Sequence, residues 1–239
     1  MEVSVFFDKG IERNNNEDNY IIHNNSRDYT LIAVADGMGG HNAGEIASKT
    51  AIDCIDEYKF DLDNNIIQEI EQLILKANRK ILKLSNENID LKGMGTTLSL
   101  GLIYDNILYF GHIGDSRIYY FRQQNLGQLT TDHTFVNELI QQNKIKKEEA
   151  FNHPKSHLLT QALGIEYNIT IDTGTFELDK DDLLLFCTDG ITDMIQRENI
   201  EKIIRENNLN VNNLTEILGK TALKNGGKDN LTLVAGIIK

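Results

Sequence analysis

The chain has 239 residues, with 24 Lys and Arg against 36 Asp and Glu, so its formal charge at pH 7 is −12. This length predicts one large domain or two small ones with a hydrophobic core, and a hydrophobic content of 40% excludes a disordered chain. The acidic balance argues against binding to nucleic acid or to a membrane surface, because both need an excess of basic residues. The acidic excess is therefore either a solvated surface or a cation site.

The two cysteines exclude two classes of protein. Cys54 and Cys187 are too few for a disulfide framework, and each lies in an apolar stretch, so we expect small buried side chains. Neither is followed six positions later by Arg, which excludes a phosphatase loop with a cysteine nucleophile. No apolar run is long enough for a signal peptide or a membrane span, so we expect a protein of the reducing cytoplasm.

Predicted strands and helices occur in blocks. In chain order we predict three strands (3–8, 19–24, 29–35), two helices (44–58, 64–86), two paired strands (96–104, 107–122), a helix (134–152), two strands (169–177, 183–188), two helices (197–206, 211–224) and a final strand (230–238). The final strand is apolar on both faces, which predicts an interior position in a sheet. Strand runs separated by helix pairs favour an α+β layered sandwich over a doubly wound nucleotide fold. No linker divides the chain, so we expect a single domain over 1–239.

Aspartates stand repeatedly at the ends of apolar strands. Asp36-Gly37 ends one strand and Asp189-Gly190 ends another, while Asp115 follows Gly114 and Asp229 directly precedes the last strand. Asp-Gly is a common hairpin turn, but a helix rather than a returning strand follows both Asp-Gly pairs. The hairpin interpretation therefore fails at these two positions.

Carboxylates gathered at strand ends repel one another unless a cation neutralises them. The candidate ligands are oxygen atoms without Cys or His at zinc spacing, which favours Mg²⁺ or Mn²⁺. Arg13 precedes Glu17 and Asp18 ahead of a strand, and an Arg near such a site can hold a phosphate with two hydrogen bonds. Divalent cations, an Arg and the lack of a protein nucleophile together predict phosphoester hydrolysis by activated water.

Eight sequence stretches resemble the bacterial metal-dependent protein phosphatases, the PPM or type 2C family. They run in family order over essentially the whole chain: RNNNED (13–18), VADGMGGHNAGEIAS (34–48), GMGTTL (93–98), GHIGDSRIY (111–119), LTTDHTFVNELIQQNKIKKEEAFNHP (129–154), LTQALG (159–164), DDLLLFCTDGITDMI (181–195) and GGKDNLTLV (226–234). The resemblance implies a four-layer α-β-β-α sandwich, in which helix pairs flank a central antiparallel β-sandwich. It also implies hydrolysis of phosphoserine and phosphothreonine in proteins, and a cognate bacterial Ser/Thr kinase that the phosphatase counteracts.

The resemblance also implies a role for each candidate residue. Two core cations, Mn²⁺ or Mg²⁺, would be bridged by Asp36, and a third would bind at Asp115, Asp189 and Asp193. The other implied contacts to the core cations come from Glu17, the Gly37 carbonyl, Asp189, Asp229 and, through a water, Asp18. A water or hydroxide shared by two cations would attack phosphorus in line while Arg13 binds the phosphate.

Some assignments stay open at the sequence level. His41 is either the general acid for the leaving alkoxide or a loop residue, and water is the alternative acid. Residues of about 132–163 resemble a mobile flap that could grip protein substrates. Within it we expect structural roles for His133 and His153, and His157 is not needed as a ligand. Two other functions remain: a regulatory relative that binds phosphoproteins without cleaving them, and a phosphohydrolase for small molecules such as a phosphodiesterase. We expect a monomer.

Overall fold

Two antiparallel β-sheets form the centre of the structure, a computed structural model that describes residues 1–24, 29–39, 43–146, 149, 153–207 and 210–239. The first sheet has the strand order β1-β11-β10-β7-β8. Its strands are β1 (Glu2–Asp8), β7 (Arg117–Arg122), β8 (Asn125–Gln128), β10 (Leu183–Cys187) and β11 (Leu231–Ile237). As predicted, β11 is an interior strand with neighbours on both sides.

The second sheet has the order β2-β3-β5-β6-β9, and the short strand β4 pairs with the end of β3. Its strands are β2 (Asp18–His23), β3 (Thr30–Met38), β4 (Gly95–Thr96), β5 (Leu98–Tyr104), β6 (Ile107–Ile113) and β9 (Asp172–Glu177). Side chains of both sheets meet between them in an apolar cluster that includes Ile32, Val34, Leu184, Phe186 and Val234.

Helices cover the outer face of each sheet. Helices α1 (Ala43–Asp56) and α2 (Ile66–Glu87) pack on the second sheet, and α5 (Arg197–Glu206) and α6 (Val211–Lys224) cover the first. Two shorter helices, α3 (Phe135–Gln141) and α4 (Asp189–Thr192), lie in connections. The predicted α+β sandwich with flanking helix pairs is therefore confirmed. Among the residues described, no helix is both long and apolar enough to cross a membrane.

The alternation of side chains along buried strands explains the four layers. In β3, Leu31, Ala33 and Ala35 join the cluster under α1 and α2, whereas Ile32 and Val34 point between the sheets. Successive side chains of a strand point to opposite faces, so a strand covered on both sides is apolar throughout. This is why the strands that are covered on both faces appear as continuous apolar runs in the sequence.

The structure changes two of the predicted elements. The run 107–122 is two strands in different sheets, because Gly114 takes a positive φ of 107° and the chain crosses from β6 to β7 there. The helix predicted over 134–152 is not continuous: a helix runs from Phe135 to Gln141, residues 142–146 are not helical, with a φ of 55° at Asn143, and Glu149 is again helical. Residues 147–148 and 150–152 lie outside the described part of the chain.

Candidate metal centre

The predicted carboxylates gather at one end of the β-sandwich. Asp18 begins β2 and lies directly opposite Asp36 near the end of β3 in the antiparallel register. Asp115 lies where the chain passes from β6 to β7, Asp189 follows β10, and Asp229 precedes β11. In an antiparallel pair the end of one strand lies beside the start of the next, so these residues meet at the same end of the sandwich.

Asp18 is held by one residue of β11, Thr232, and by Thr188, which directly follows β10. The hydroxyls of Thr188 and Thr232 donate hydrogen bonds to its Oδ2 at 2.8 and 2.6 Å. The side chain is 1% exposed, yet its Oδ1 has no hydrogen-bond partner within the described chain. The Oδ1 of Asp189 is likewise buried and unpartnered. Buried oxygens without partners are costly, and they fit a site that holds a cation.

Burial and mutual repulsion disfavour the charged forms of these carboxyls. Burial, opposed by the hydroxyls of Thr232 and Thr188, raises the pKa of Asp18 to about 7. Burial and the charge of Asp193 raise the pKa of Asp189 to about 6. For Asp36, burial and the nearby carboxylates of Asp189 and Asp18 raise the pKa well above its usual range. Bound divalent cations would favour the charged forms, so the donor set fits hard cations with oxygen ligands.

Close backbone packing brings Glu17 and Gly37 together at the start of α1. A Cβ on Gly44 would lie 2.2 Å from Glu17 Oε2 and 2.8 Å from the Gly37 carbonyl oxygen. The Gly37 amide donates to the Glu17 carbonyl at 3.2 Å. Only glycine at position 44 allows the two predicted ligand oxygens to approach the same point.

Arg13 lies at the mouth of the site and is paired with a predicted ligand. Its Nη2 donates to Asp229 Oδ2 at 2.7 Å, and its side chain is half-exposed. The neighbouring Asn230 holds this region: its Oδ1 accepts from the Glu17 amide at 2.8 Å, and its Nδ2 donates to the Asn15 carbonyl at 2.8 Å. Asn230 therefore fixes the segment that carries both Arg13 and Glu17.

A second group of residues extends the centre towards the predicted flap. Asp193 follows α4, and burial raises its pKa, an effect that His157 and Arg117 oppose. Burial and the carboxylates of Asp189, Asp132 and Asp193 raise the pKa of Asp115 well above its usual range. His157, which sequence reasoning left outside the site, has its Nδ1 3.2 Å from Asp193 Oδ2.

A cavity of about 480 Å³ opens on this centre. Carboxylates and Arg13 line one side, and residues of the predicted flap, including Leu158, Thr160 and Ala162, line the other. Backbone hydrogen bonds hold this flap segment in place, from Phe135 N to Leu158 O and from Thr160 N to His133 O, both 2.8 Å. His41, the candidate general acid, lies outside the described residues.

The two histidines His112 and His133 form structural contacts. His112 is fully buried, and burial lowers its pKa to about 4. Its Nδ1 lies 2.9 Å from Ser99 Oγ and its Nε2 3.1 Å from the Thr131 carbonyl. His133 Nδ1 accepts from the Gly114 amide at 3.2 Å, which ties the flap to the loop that carries Asp115.

Sequence reasoning missed several residues that build the centre: Gly44, Thr188, Asn230, Thr232 and His157. Thr188 and Thr232 each carried one signal, since a hydroxyl inside or beside an apolar strand needs a buried partner. Gly44 and Asn230 carried no signal beyond their place in the quoted motifs. His157 is close to Asp193 only through the fold.

Known proteins share this sequence and this architecture. The family model described as "Protein phosphatase 2C" matches residues 11–225. The serine/threonine phosphatase Stp of Listeria monocytogenes serotype 4b is 35% identical, over 98% of this chain and 94% of that protein. The protein phosphatase PhpP of Streptococcus pneumoniae serotype 2 is 38% identical, over 98% and 96%.

Solved structures agree with the sequence relatives. The serine/threonine phosphatase PstP/Ppp of Mycobacterium tuberculosis superposes with a TM-score of 0.91 at 34% identity, covering 100% of this chain and 98% of that one. The catalytic domain of PstP in complex with two manganese ions has a TM-score of 0.86 at 33% identity, with the same coverage. The predicted family is thus confirmed, and the chain belongs to the protein phosphatase 2C family of metal-dependent phosphatases.

Proposed function

We propose that this chain hydrolyses phosphoserine and phosphothreonine in proteins, with bound divalent cations and with water as the nucleophile. The observation that supports this best is a pair of buried oxygens within a carboxylate cluster, one on Asp18 and one on Asp189, which have no hydrogen-bond partner in the part of the chain that the structure describes. The cluster faces a cavity that also contains Arg13. Cations bound there and the guanidinium would both attract a phosphate group.

The chain offers no cysteine that could attack phosphorus. Cys54 and Cys187 are both buried, and burial raises the pKa of Cys187 to about 12, so its thiol stays protonated at neutral pH. Hydrolysis would therefore proceed by direct attack of water without a phosphocysteine.

The proposed ligands of two core cations are Asp36, Glu17, the Gly37 carbonyl, Asp189 and Asp229. Asp18, already anchored by two threonine hydroxyls, would act through a water. A third cation would bind at Asp115, Asp189 and Asp193. When bound, Mn²⁺ or Mg²⁺ would lower the pKa of water and neutralise charge on the phosphate.

Arg13 would orient the substrate. Its guanidinium is half-exposed at the cavity and, among the described residues, makes one hydrogen bond, to Asp229, so other N–H groups can bind phosphate oxygens. The serine or threonine alkoxide that leaves must be protonated, by water or by His41 as the proposed acid.

A substrate panel tests the function. We expect Mn²⁺-dependent release of phosphate from phosphoserine and phosphothreonine peptides and from p-nitrophenyl phosphate, with loss of activity in EDTA and its return on adding Mn²⁺. Full activity in EDTA would refute the proposal. Faster cleavage of bis(p-nitrophenyl) phosphate than of any phosphopeptide would favour a phosphodiesterase, and peptide binding without turnover at saturating Mn²⁺ would favour the regulatory alternative.

The cellular setting is also a proposal. We propose that residues 1–239 act as one monomeric domain in the bacterial cytoplasm and reverse the action of a Ser/Thr kinase. Light scattering tests the oligomeric state. Incubation of the kinase-phosphorylated proteome of the source bacterium with this enzyme tests the counteraction, which predicts loss of phosphoserine and phosphothreonine but not phosphotyrosine.

A further inference from the structure

We propose that His157 supplies a nitrogen ligand to the third cation, so that this position prefers a transition-metal ion such as Mn²⁺ to Mg²⁺. The inference rests on the proposed metal-dependent function and concerns a residue outside the predicted ligand set. His157, a residue of the predicted flap, would then help to determine which cation binds.

The geometry brings three ligand groups together. Three ligand atoms lie within 4.8 Å of one another, one from each of His157, Asp189 and Asp193. The closest contact joins His157 Nδ1 and Asp193 Oδ2 at 3.2 Å. The buried Oδ1 of Asp189 has no hydrogen-bond partner in the described chain, which leaves one oxygen of this group available to an ion.

The imidazole is positioned by its own segment. His157 follows a turn in which the Ser156 amide donates to the His153 carbonyl at 3.0 Å. It precedes Leu158, whose carbonyl accepts from the Phe135 amide at 2.8 Å. These backbone hydrogen bonds fix the residues on either side, while the side chain itself is 73% exposed and can adjust to an ion.

Ligand chemistry sets the expected preference. Mg²⁺ takes oxygen ligands almost only, whereas imidazole binds later first-row metals increasingly well. A site that adds one imidazole to its carboxylates therefore discriminates against Mg²⁺, unlike the core positions, whose proposed ligands are all oxygen.

The test uses the full chain loaded with Mn²⁺ and compares wild type with His157→Asn, His157→Asp and His153→Asn. His153 is the matched control, because it lies in the same turn and contacts Phe135 rather than a carboxylate. Pulsed electron paramagnetic resonance detects coupling between Mn²⁺ and a bound imidazole nitrogen. Titration calorimetry gives the number and affinity of Mn²⁺ sites, with and without excess Mg²⁺.

We expect an imidazole-nitrogen signal in wild type and His153→Asn, and its loss in both His157 variants. In His157→Asn the affinity of one Mn²⁺ site should fall by at least about tenfold. A loss of about tenfold is the least expected even for a residue that only hydrogen-bonds to a metal ligand. His157→Asp should keep the site but discriminate less against Mg²⁺.

Two results would overturn the assignment: no nitrogen coupling in wild type with every Mn²⁺ site filled, or unchanged Mn²⁺ affinities in His157→Asn. If EDTA still abolishes activity in that case, the proposed function survives and only the role of His157 fails. If no Mn²⁺ binds to wild type, both proposals fail together.

Discussion

The two sides of the candidate metal centre are held in different ways. Asp18 and Asp36 face each other across neighbouring strands, and two threonine hydroxyls fix Asp18. Asp193 follows a short helix and His157 follows a turn, with side chains 33% and 73% exposed. The first side is set by the packed core, whereas the second is set by connections. We therefore expect the strand side to decide whether cations bind, and the connection side to tune which ion binds and how substrates enter.

The largest effect should come from Asp36→Asn on the strand side. Loss of the proposed bridging carboxylate removes cation binding that contributes several kcal/mol, so kcat/KM for a phosphopeptide should fall by about 10³-fold or more. Steady-state kinetics at saturating Mn²⁺ measures this, with the exposed Asp63→Asn as control. A drop of less than tenfold would contradict the role of Asp36.

The metal-free protein should lose stability as pH rises, because the strand-side carboxyls resist ionisation. The ordinary pKa of Asp is 3.8, and in the folded state the pKa values of Asp18 and Asp189 rise to about 7 and about 6. The folded state therefore binds more protons between about pH 4 and 7, and the free energy of unfolding should decrease through that window, by at most about 7 kcal/mol if the two shifts add in full.

Urea unfolding in EDTA at several pH values between 4 and 8 measures this trend. Saturating Mn²⁺ should reverse this decrease in stability. At a hundredfold excess over Kd, each bound Mn²⁺ should add about 2.7 kcal/mol to the free energy of unfolding. Equal stability in EDTA and Mn²⁺ at pH 7.5 would contradict the proposal that the acidic cluster binds a cation.

Thr232→Val tests how far the hydroxyls support Asp18. The change removes the 2.6 Å hydrogen bond to Asp18 Oδ2 and leaves a buried carboxylate less well satisfied. Mn²⁺ affinity at one core site should fall 10- to 100-fold, as for other partners of metal ligands. Calorimetry measures it, and Thr173→Val, whose hydroxyl contacts Glu71 far from the centre, is the control. Equal Mn²⁺ affinities in the two variants would show that Thr232 does not support cation binding.

The smallest effect is expected on the flap. Replacing 142–152 with a short Gly-Ser linker keeps α3 and the flap residues 157–162 that line the cavity, so the metal centre should remain intact. Activity on phosphoproteins should fall several-fold more than activity on p-nitrophenyl phosphate, because a protein substrate contacts more of the flap. Equal losses on both substrates would show that the segment does not select proteins.

Much of the fold was predictable because burial leaves a periodic signal. The strand and helix positions agree within a few residues for the apolar runs, since a covered strand is apolar on both faces and a covered helix at every third or fourth residue. The prediction failed at Gly114, where only the short segment 114–117 separates two apolar stretches but the chain changes sheets. It failed again at 142–146, directly after Gln141, where the polar residues of a non-helical segment resemble a solvated helix.

The sequence by itself determined the family and predicted the acidic residues of the candidate metal centre, because each aspartate follows or precedes an apolar run within a recognisable motif. Only the tertiary structure decided that Thr188 and Thr232 hold Asp18, that Gly44 lets two oxygens converge, and that His157 stands beside Asp193. These contacts join residues that are far apart in the chain, so their distances depend on strand register and on packing between layers, which no local pattern encodes.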